Sequence, residues 1–145
     1  GNIVKNIKTP FQHMYFSRKL EYTTKHCVYS SIYEVMGENA VFEAICLGGD
    51  DLLIVVPADK SLRIVDKIID KFDKAFNYKI TISAGVCIAK STTPIQNMFS
   101  ISQYCLKNAK KYERKSNEKN GTLDVVVIEG NLIWIWKEEK PLYSQ

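Results

Sequence analysis

The sequence predicts an α+β fold on the split-βαβ plan of ferredoxin-like domains, with the first strand of that plan missing. Three observations predict it. Apolar spacing changes between helical and strand periods in the order helix–helix, strand–strand, helix, strand, helix, strand–strand. The first strand pair is joined only by Gly48-Gly49-Asp50-Asp51, and so short a join makes antiparallel neighbours. No repeat, low-complexity segment or internal linker divides the 145 residues, enough for one domain with a real core. One strand added in front would turn the order into βα-ββ-αβ, with a helix and a hairpin appended.

Residues 2–8 read as a short helix. Pro10 opens a longer one to about Met36, with Phe11, Met14, Tyr15, Leu20, Cys27, Ile32 and Met36 near helical spacing and Gly37 as its stop. Val41 to Leu47 and Leu52 to Val56 read as strands buried on both faces. Asp59 can cap a helix over about 60–76, whose apolar face is Leu62, Val65, Ile68, Ile69 and Phe72. "ITISAGVCIA", Ile80 to Ala89, is a third strand. Pro94 starts a helix to about Lys115 with Met98, Ile101, Cys105, Leu106 and Ala109 inward. "SNEKNGT" is a solvated turn, and "LDVVVIEGNLIWIW" reads as two strands about Gly130-Asn131. The hairpin, joined to the later strands, is expected in one sheet of four or more strands with the helices mainly on one face.

Composition sets bounds. Apolar residues make up 46% and charged residues 25%, ordinary for a globular domain. The formal charge of +4 suits a nucleotide or nucleic-acid ligand without demanding one. No apolar run approaches the roughly 20 residues of a membrane span, and Gly1 to Lys8 has no apolar core of a signal peptide. Cys27, Cys46, Cys87 and Cys105 show no C-x-x-C spacing, which argues against zinc and for buried, reduced thiols in a cytoplasmic protein.

The twin aspartates admit two readings. Glycine and aspartate are common turn residues, so Gly48 to Asp51 could be only a hairpin turn. Yet two adjacent carboxylates repel unless a positive group sits beside them. Magnesium prefers one or two carboxylates plus triphosphate oxygens, and glycines let those oxygens approach the backbone.

"LGGDDLLIVVP", then "ITISAGVCIAKSTTPI", then "LKNAKKYERKSNEKNGTLDVVVIE", preceded by "FSRKLEYTTKHCVYSSIYEV", resembles in order and spacing the palm domain of the large subunit of type III CRISPR effector complexes. The resemblance covers about residues 10–129, and it implies a GGDEF-like cyclase or polymerase palm. Each motif alone is weak; the ordered set is specific. Diguanylate cyclases share the palm, but this chain has Leu52 where they carry phenylalanine and lacks their Gly-Arg-Asn after the last helix.

The resemblance implies a metal-dependent nucleotidyltransferase that makes 3′-5′ linked cyclic oligoadenylate from ATP in antiviral defence. Asp50 and Asp51 would be the catalytic, metal-binding pair for Mg2+ or Mn2+, and Gly48 and Gly49 would give the nucleotide access. Ser83, on the strand that adjoins the catalytic turn in the family, is a nucleotide-binding candidate; its other reading, with Gly85, is a bulge or a close packing contact. Lys107, Lys110, Lys111 and Arg114 read as a solvated face that also suits the helix dipole. Lys110 is singled out as a nucleotide-binding residue because "NAKK" matches the family's Ala-Lys.

Partners implied are ATP, the other subunits and RNA of a CRISPR ribonucleoprotein, and a palm–palm contact, with no membrane. The family's further metal-binding aspartate lies on the first strand, so the chain is expected to be one palm domain over 1–145 cut from a longer parent and poorly active alone. His13 and His26 read as ordinary helix residues. Trp134 and Trp136 share a strand face that either packs inward or meets a neighbouring domain. Two alternatives stand beside the polymerase: a diguanylate cyclase-like GGDEF enzyme, which predicts GTP, and a non-catalytic palm that binds a nucleotide or a partner.

Overall fold

Thr9 and Pro10 start the first helix, α1 (Pro10–Met36): the Thr9 hydroxyl accepts the Gln12 N–H at 3.2 Å, and Pro10 occupies a position that has no intrahelical donor to lose. Gly37 ends it at φ 77°, donating its N–H to the Tyr33 carbonyl at 2.8 Å. The structure, a computed structural model, describes residues 9–48, 51–116, 119–129 and 132–135, the last four as backbone. The helix predicted over 2–8, Gly49, Asp50, the Gly130-Asn131 turn and the side chains of Trp134 and Trp136 lie outside the described residues. The chain divides into two units, Gly1–Ile82 and Ser83–Gln145.

In the first unit α1 is followed by strands β1 (Glu43–Gly48) and β2 (Asp51–Val55) and helix α2 (Ala58–Ala75). The two helices bury Val28 and Ile32 against Ile64 and Ile68, and Leu47, Leu52, Ile54 and Val56 pack on this cluster. Burying each such aliphatic side chain contributes about 1.5–3 kcal/mol. Only the C-terminal half of α1 takes part. Phe11, Met14 and Tyr15, expected on an apolar face, are exposed, and Phe11 and Tyr22 are 70% and 73% exposed. On α2, Ser61, Ile64, Ile68 and Phe72 form the buried face; Leu62 falls about 100° away from Ser61 and is exposed. Asp59 lies in the first turn of α2, and Pro57 is the cap residue. Across α1 and α2, Glu34 accepts from Lys67 and, at 2.7 Å, from Lys71.

The second unit holds strand β3 (Ala84–Ile88), helix α3 (Ile95–Lys115) and strands β4 (Leu123–Glu129) and β5 (Leu132–Ile135). β3 and β4 pair in parallel from Ala84–Leu123 to Ile88–Val127, with α3 as the crossover; β4 and β5 are antiparallel. α3 lays Cys105 and Ala109 inward. It runs so close to β3 that a Cβ on Gly85 would lie 2.2 Å from the Ser102 carbonyl oxygen and 2.3 Å from the Leu106 nitrogen. Of the two structural readings of Gly85, the close packing contact is the one found.

Two expectations need correction. The third strand begins at Ala84 instead of Ile80, after Asn77 and Tyr78 turn the chain at φ 50° and 55°. A single sheet of four or more strands is not what the described residues form: β1–β2 is a two-stranded sheet and β3–β4–β5 a three-stranded one. One sheet would need a ladder from β1 or β2 to a later strand, and the described strands pair only within these groups. The mixed α+β composition, with its GGDD hairpin, is compatible with a palm.

Gly85→Ala should lower the urea midpoint by an amount equivalent to about 1–3 kcal/mol or more, because backbone atoms, which cannot rotate away, meet the new methyl. The two lysines hold the Glu34 carboxyl down to about 2 from an ordinary 4.5. Its folded pKa is below its unfolded one, so its contribution is whole above about 4.5 and is lost as the pH falls toward 2. Urea midpoints should therefore fall across that window, and less steeply in Glu34→Gln.

Candidate functional site

The site is built on a hairpin whose register is fixed by its apolar face. Gly48 pairs with Asp51 and Leu47 with Leu52, so the connection is two residues long, Gly49 and Asp50. The sequence suggested a four-residue turn; instead Gly48 and Asp51 are strand residues. An extra residue at Ile45 is absorbed as a bulge between Ala44 and Cys46.

Side chains alternate along a strand. Leu52, Ile54 and Val56 face the helices, so Asp51, Leu53 and Val55 lie on the other face. Asp51 is exposed at the end of that face, as are Ile45 and Cys46 on β1, where strands buried on both faces were expected; Leu53 and Val55 are half-buried. Helices α1 and α2 cover one side of the hairpin, and β1 is exposed except at Leu47. The Asp51 carbonyl accepts from the Cys46 thiol at 3.8 Å, while none of the ion pairs among the described residues includes the Asp51 carboxylate. Among the described residues no three His, Cys, Asp or Glu side chains group as a metal cage. Asp50 precedes Asp51 in the sequence, and two neighbouring carboxylates are few ligands for a metal, the number that suits a cation held mostly by phosphate oxygens and waters. The donors are hard oxygens, right for magnesium or manganese.

The other candidates belong to the second unit. Ser83 immediately precedes β3, and its hydroxyl donates to Glu113 Oε2 at 2.8 Å. Thr122 Oγ1 approaches both Ser83 Oγ, at 3.2 Å, and the Ala109 carbonyl, at 2.9 Å. Ser83 thus ties the edge of β3 to α3 and to the start of β4. Lys110 is exposed on α3, one turn before Glu113, and is in no ion pair among the described residues. Nearby, Asn108 donates to Asp124 Oδ2 at 3.2 Å, and Asp124 Oδ1 accepts the Val125 N–H at 3.0 Å.

Three cysteines behave as structural thiols. Burial pushes Cys27 and Cys87 up, and burial with the nearby Asp124 pushes Cys105 up to about 11. Cys46 departs from the expected burial and is exposed on β1. What the sequence did not reveal is the Ser83–Glu113 bond, which joins residues thirty apart in the chain. It also did not reveal the exposed aromatic side chains on the first half of α1, of which Phe11 and Tyr15 had been expected on the apolar face.

A protein-family model described as Cas10/Cmr2, second palm domain, matches residues 1–120. No curated protein matches the chain, and no solved structure does.

The Ser83 bond makes a prediction that needs no nucleotide. Ser83→Ala removes a donor to a carboxylate and should cost about 1–3 kcal/mol of stability, read from urea unfolding in the absence of ATP. An unchanged midpoint would leave the hydroxyl without a structural role.

Proposed function

The chain belongs to the Cas10/Cmr2 family as a second palm domain, a part of type III CRISPR effector complexes with nucleotidyltransferase-type chemistry, and from that premise we propose that it joins ATP molecules through 3′-5′ phosphodiester bonds into cyclic oligoadenylate. The observation that carries the reading is the Gly48–Asp51 hairpin end, with its adjacent carboxylates, inside the segment that the family model matches.

In this reading Asp50 and Asp51 hold the divalent cation, magnesium or manganese. Such a cation, when bound, neutralises the triphosphate and makes the attacking hydroxyl easier to ionise. Gly48 and Gly49 leave the backbone bare, so phosphate oxygens can come within hydrogen-bond distance of it. Lys110 offers a mobile point charge to a phosphate. Ser83 has a second role open to it beside its bond to Glu113, because a hydroxyl oxygen has two lone pairs and can also accept from a ribose hydroxyl. The reaction is an in-line displacement at the α-phosphate: the 3′ oxygen bonds to phosphorus and pyrophosphate leaves. ATP, companion subunits, their RNA and a palm–palm contact are the partners, in the cytoplasm. Among the described residues no helix is long and apolar enough to cross a membrane.

The test is turnover of labelled ATP, and of GTP beside it, by the large subunit in its assembled complex. Asp50→Ala with Asp51→Ala should abolish cyclic product while leaving the circular dichroism spectrum unchanged. Lys110→Ala should cost about tenfold to a thousandfold in kcat/KM, the loss of one charged contact in a transition state. Full turnover in the double aspartate variant would reduce the hairpin to a turn, and a preference for GTP would favour the diguanylate-cyclase reading.

A further inference from the structure

The net charge of the chain is not spread over its surface. Lys107, Lys110, Lys111, Arg114 and Lys115 stand against Glu113 alone in the last nine residues of α3. That local excess equals the +4 of the whole chain, so the remainder is neutral. All five cations are exposed, and none is in an ion pair among the described residues. Helix α2 is the contrast: of its five cations Lys60, Lys67, Lys71 and Lys74 are paired with carboxylates, and Arg63 alone is in no ion pair among the described residues. The helix dipole accounts for cations only in the final turn, here Arg114 and Lys115.

The cations are also ordered. Cys105 and Ala109 define the buried face of α3. Tyr104, Lys107, Lys111 and Arg114 follow three- and four-residue spacing along the opposite face, a stripe about 15 Å long. Lys110, the candidate for the triphosphate, lies to one side of it. Tyr104 is 51% exposed at the head of the stripe.

We propose that this face of α3 binds single-stranded nucleic acid, with phosphates on Lys107, Lys111 and Arg114 and a base stacked on Tyr104. Evenly spaced cations suit a ligand whose negative charges repeat along a line. The exposed ring favours a nucleic acid over an acidic protein, since any unpaired base can offer it a π-face. The surface is independent of the carboxylate hairpin and requires no divalent cation.

The experiment measures fluorescence anisotropy of a short labelled oligouridylate with the chain, in EDTA, over a series of salt concentrations. Three phosphate contacts should give a slope of log K against log salt near about −2. The triple variant Lys107→Ala, Lys111→Ala, Arg114→Ala should weaken binding by about tenfold or more and flatten that slope. Tyr104→Ala should weaken it by about fivefold or more and leave the slope unchanged. Lys60→Ala, which removes a paired cation of α2, should match the parent. Circular dichroism checks that these exposed substitutions preserve the fold. Unchanged affinity in the triple variant overturns the proposal, and so does equal competition by polyglutamate of the same length.

Discussion

The position of Asp51 depends on the alternation of side chains along β2. Leu52, Ile54 and Val56 are drawn to the cluster of Val28, Ile32, Ile64 and Ile68, and the residues between them are thereby turned the other way. A slip of one residue would carry Asp51 into the apolar layer and Leu52 out of it. It would lose the burial of several aliphatic side chains and would desolvate an unpaired carboxylate, two penalties of the same sign. The bulge at Ala44/Cys46 takes up the odd residue of β1 away from the turn, so the pairs Leu47–Leu52 and Gly48–Asp51 stay in register. Hydrophobic packing is therefore what aims Asp51.

The second unit uses a comparable division of labour. Gly85 admits the backbone of α3 against β3, and the Ser83–Glu113 bond joins the two elements at the edge of the strand. Once Cys105 and Ala109 face inward, three- and four-residue spacing commits Lys107, Lys111 and Arg114 to the outer face. The same residues read as a bland solvated surface from periodicity alone. That they are in no ion pair among the described residues is a tertiary fact, because it depends on which acidic side chains come within reach.

Much of the architecture was legible in the sequence, because periodicity is local. Both long helices flanking the hairpin and strand pair, α1 and α3, begin and end within a residue or so of where Pro10, Gly37, Pro94 and Lys115 point. The hairpin was legible from two apolar runs around four turn-forming residues. What failed were inferences about what each face meets. Phe11 and Tyr15 have helical spacing but are exposed, and Leu62 sits beside a serine that takes the buried position. The number of strands in each sheet depends on pairings between distant segments, which no local pattern encodes. At the site, the adjacency of Asp50 and Asp51 is a property of sequence. The engagement of Ser83 by Glu113 arises from folding.

Charge compensation in the first unit bears on what the hairpin can attract. Glu34 takes two lysines, while Asp59, Asp70 and Glu21 take one each. The lysines of α2 are thus committed to carboxylates on α1 and α2, and Asp51 shares in none of these pairs. Exposed ion pairs are individually weak, worth up to about 1 kcal/mol; even so, each occupies a cation that would otherwise be available. Where solvent reaches them, adjacent carboxylates are tolerable without a positive neighbour, because water and salt screen their repulsion. Bringing a triphosphate against them is not, since it adds several like charges at contact distance. The positive charge that makes such a complex possible must then arrive with the nucleotide, which is the behaviour expected of a site holding magnesium by two carboxylates and substrate oxygens. In the proposed reading, where Asp50 and Asp51 hold the cation, two carboxylates suit a cation bound with its substrate and released with its product.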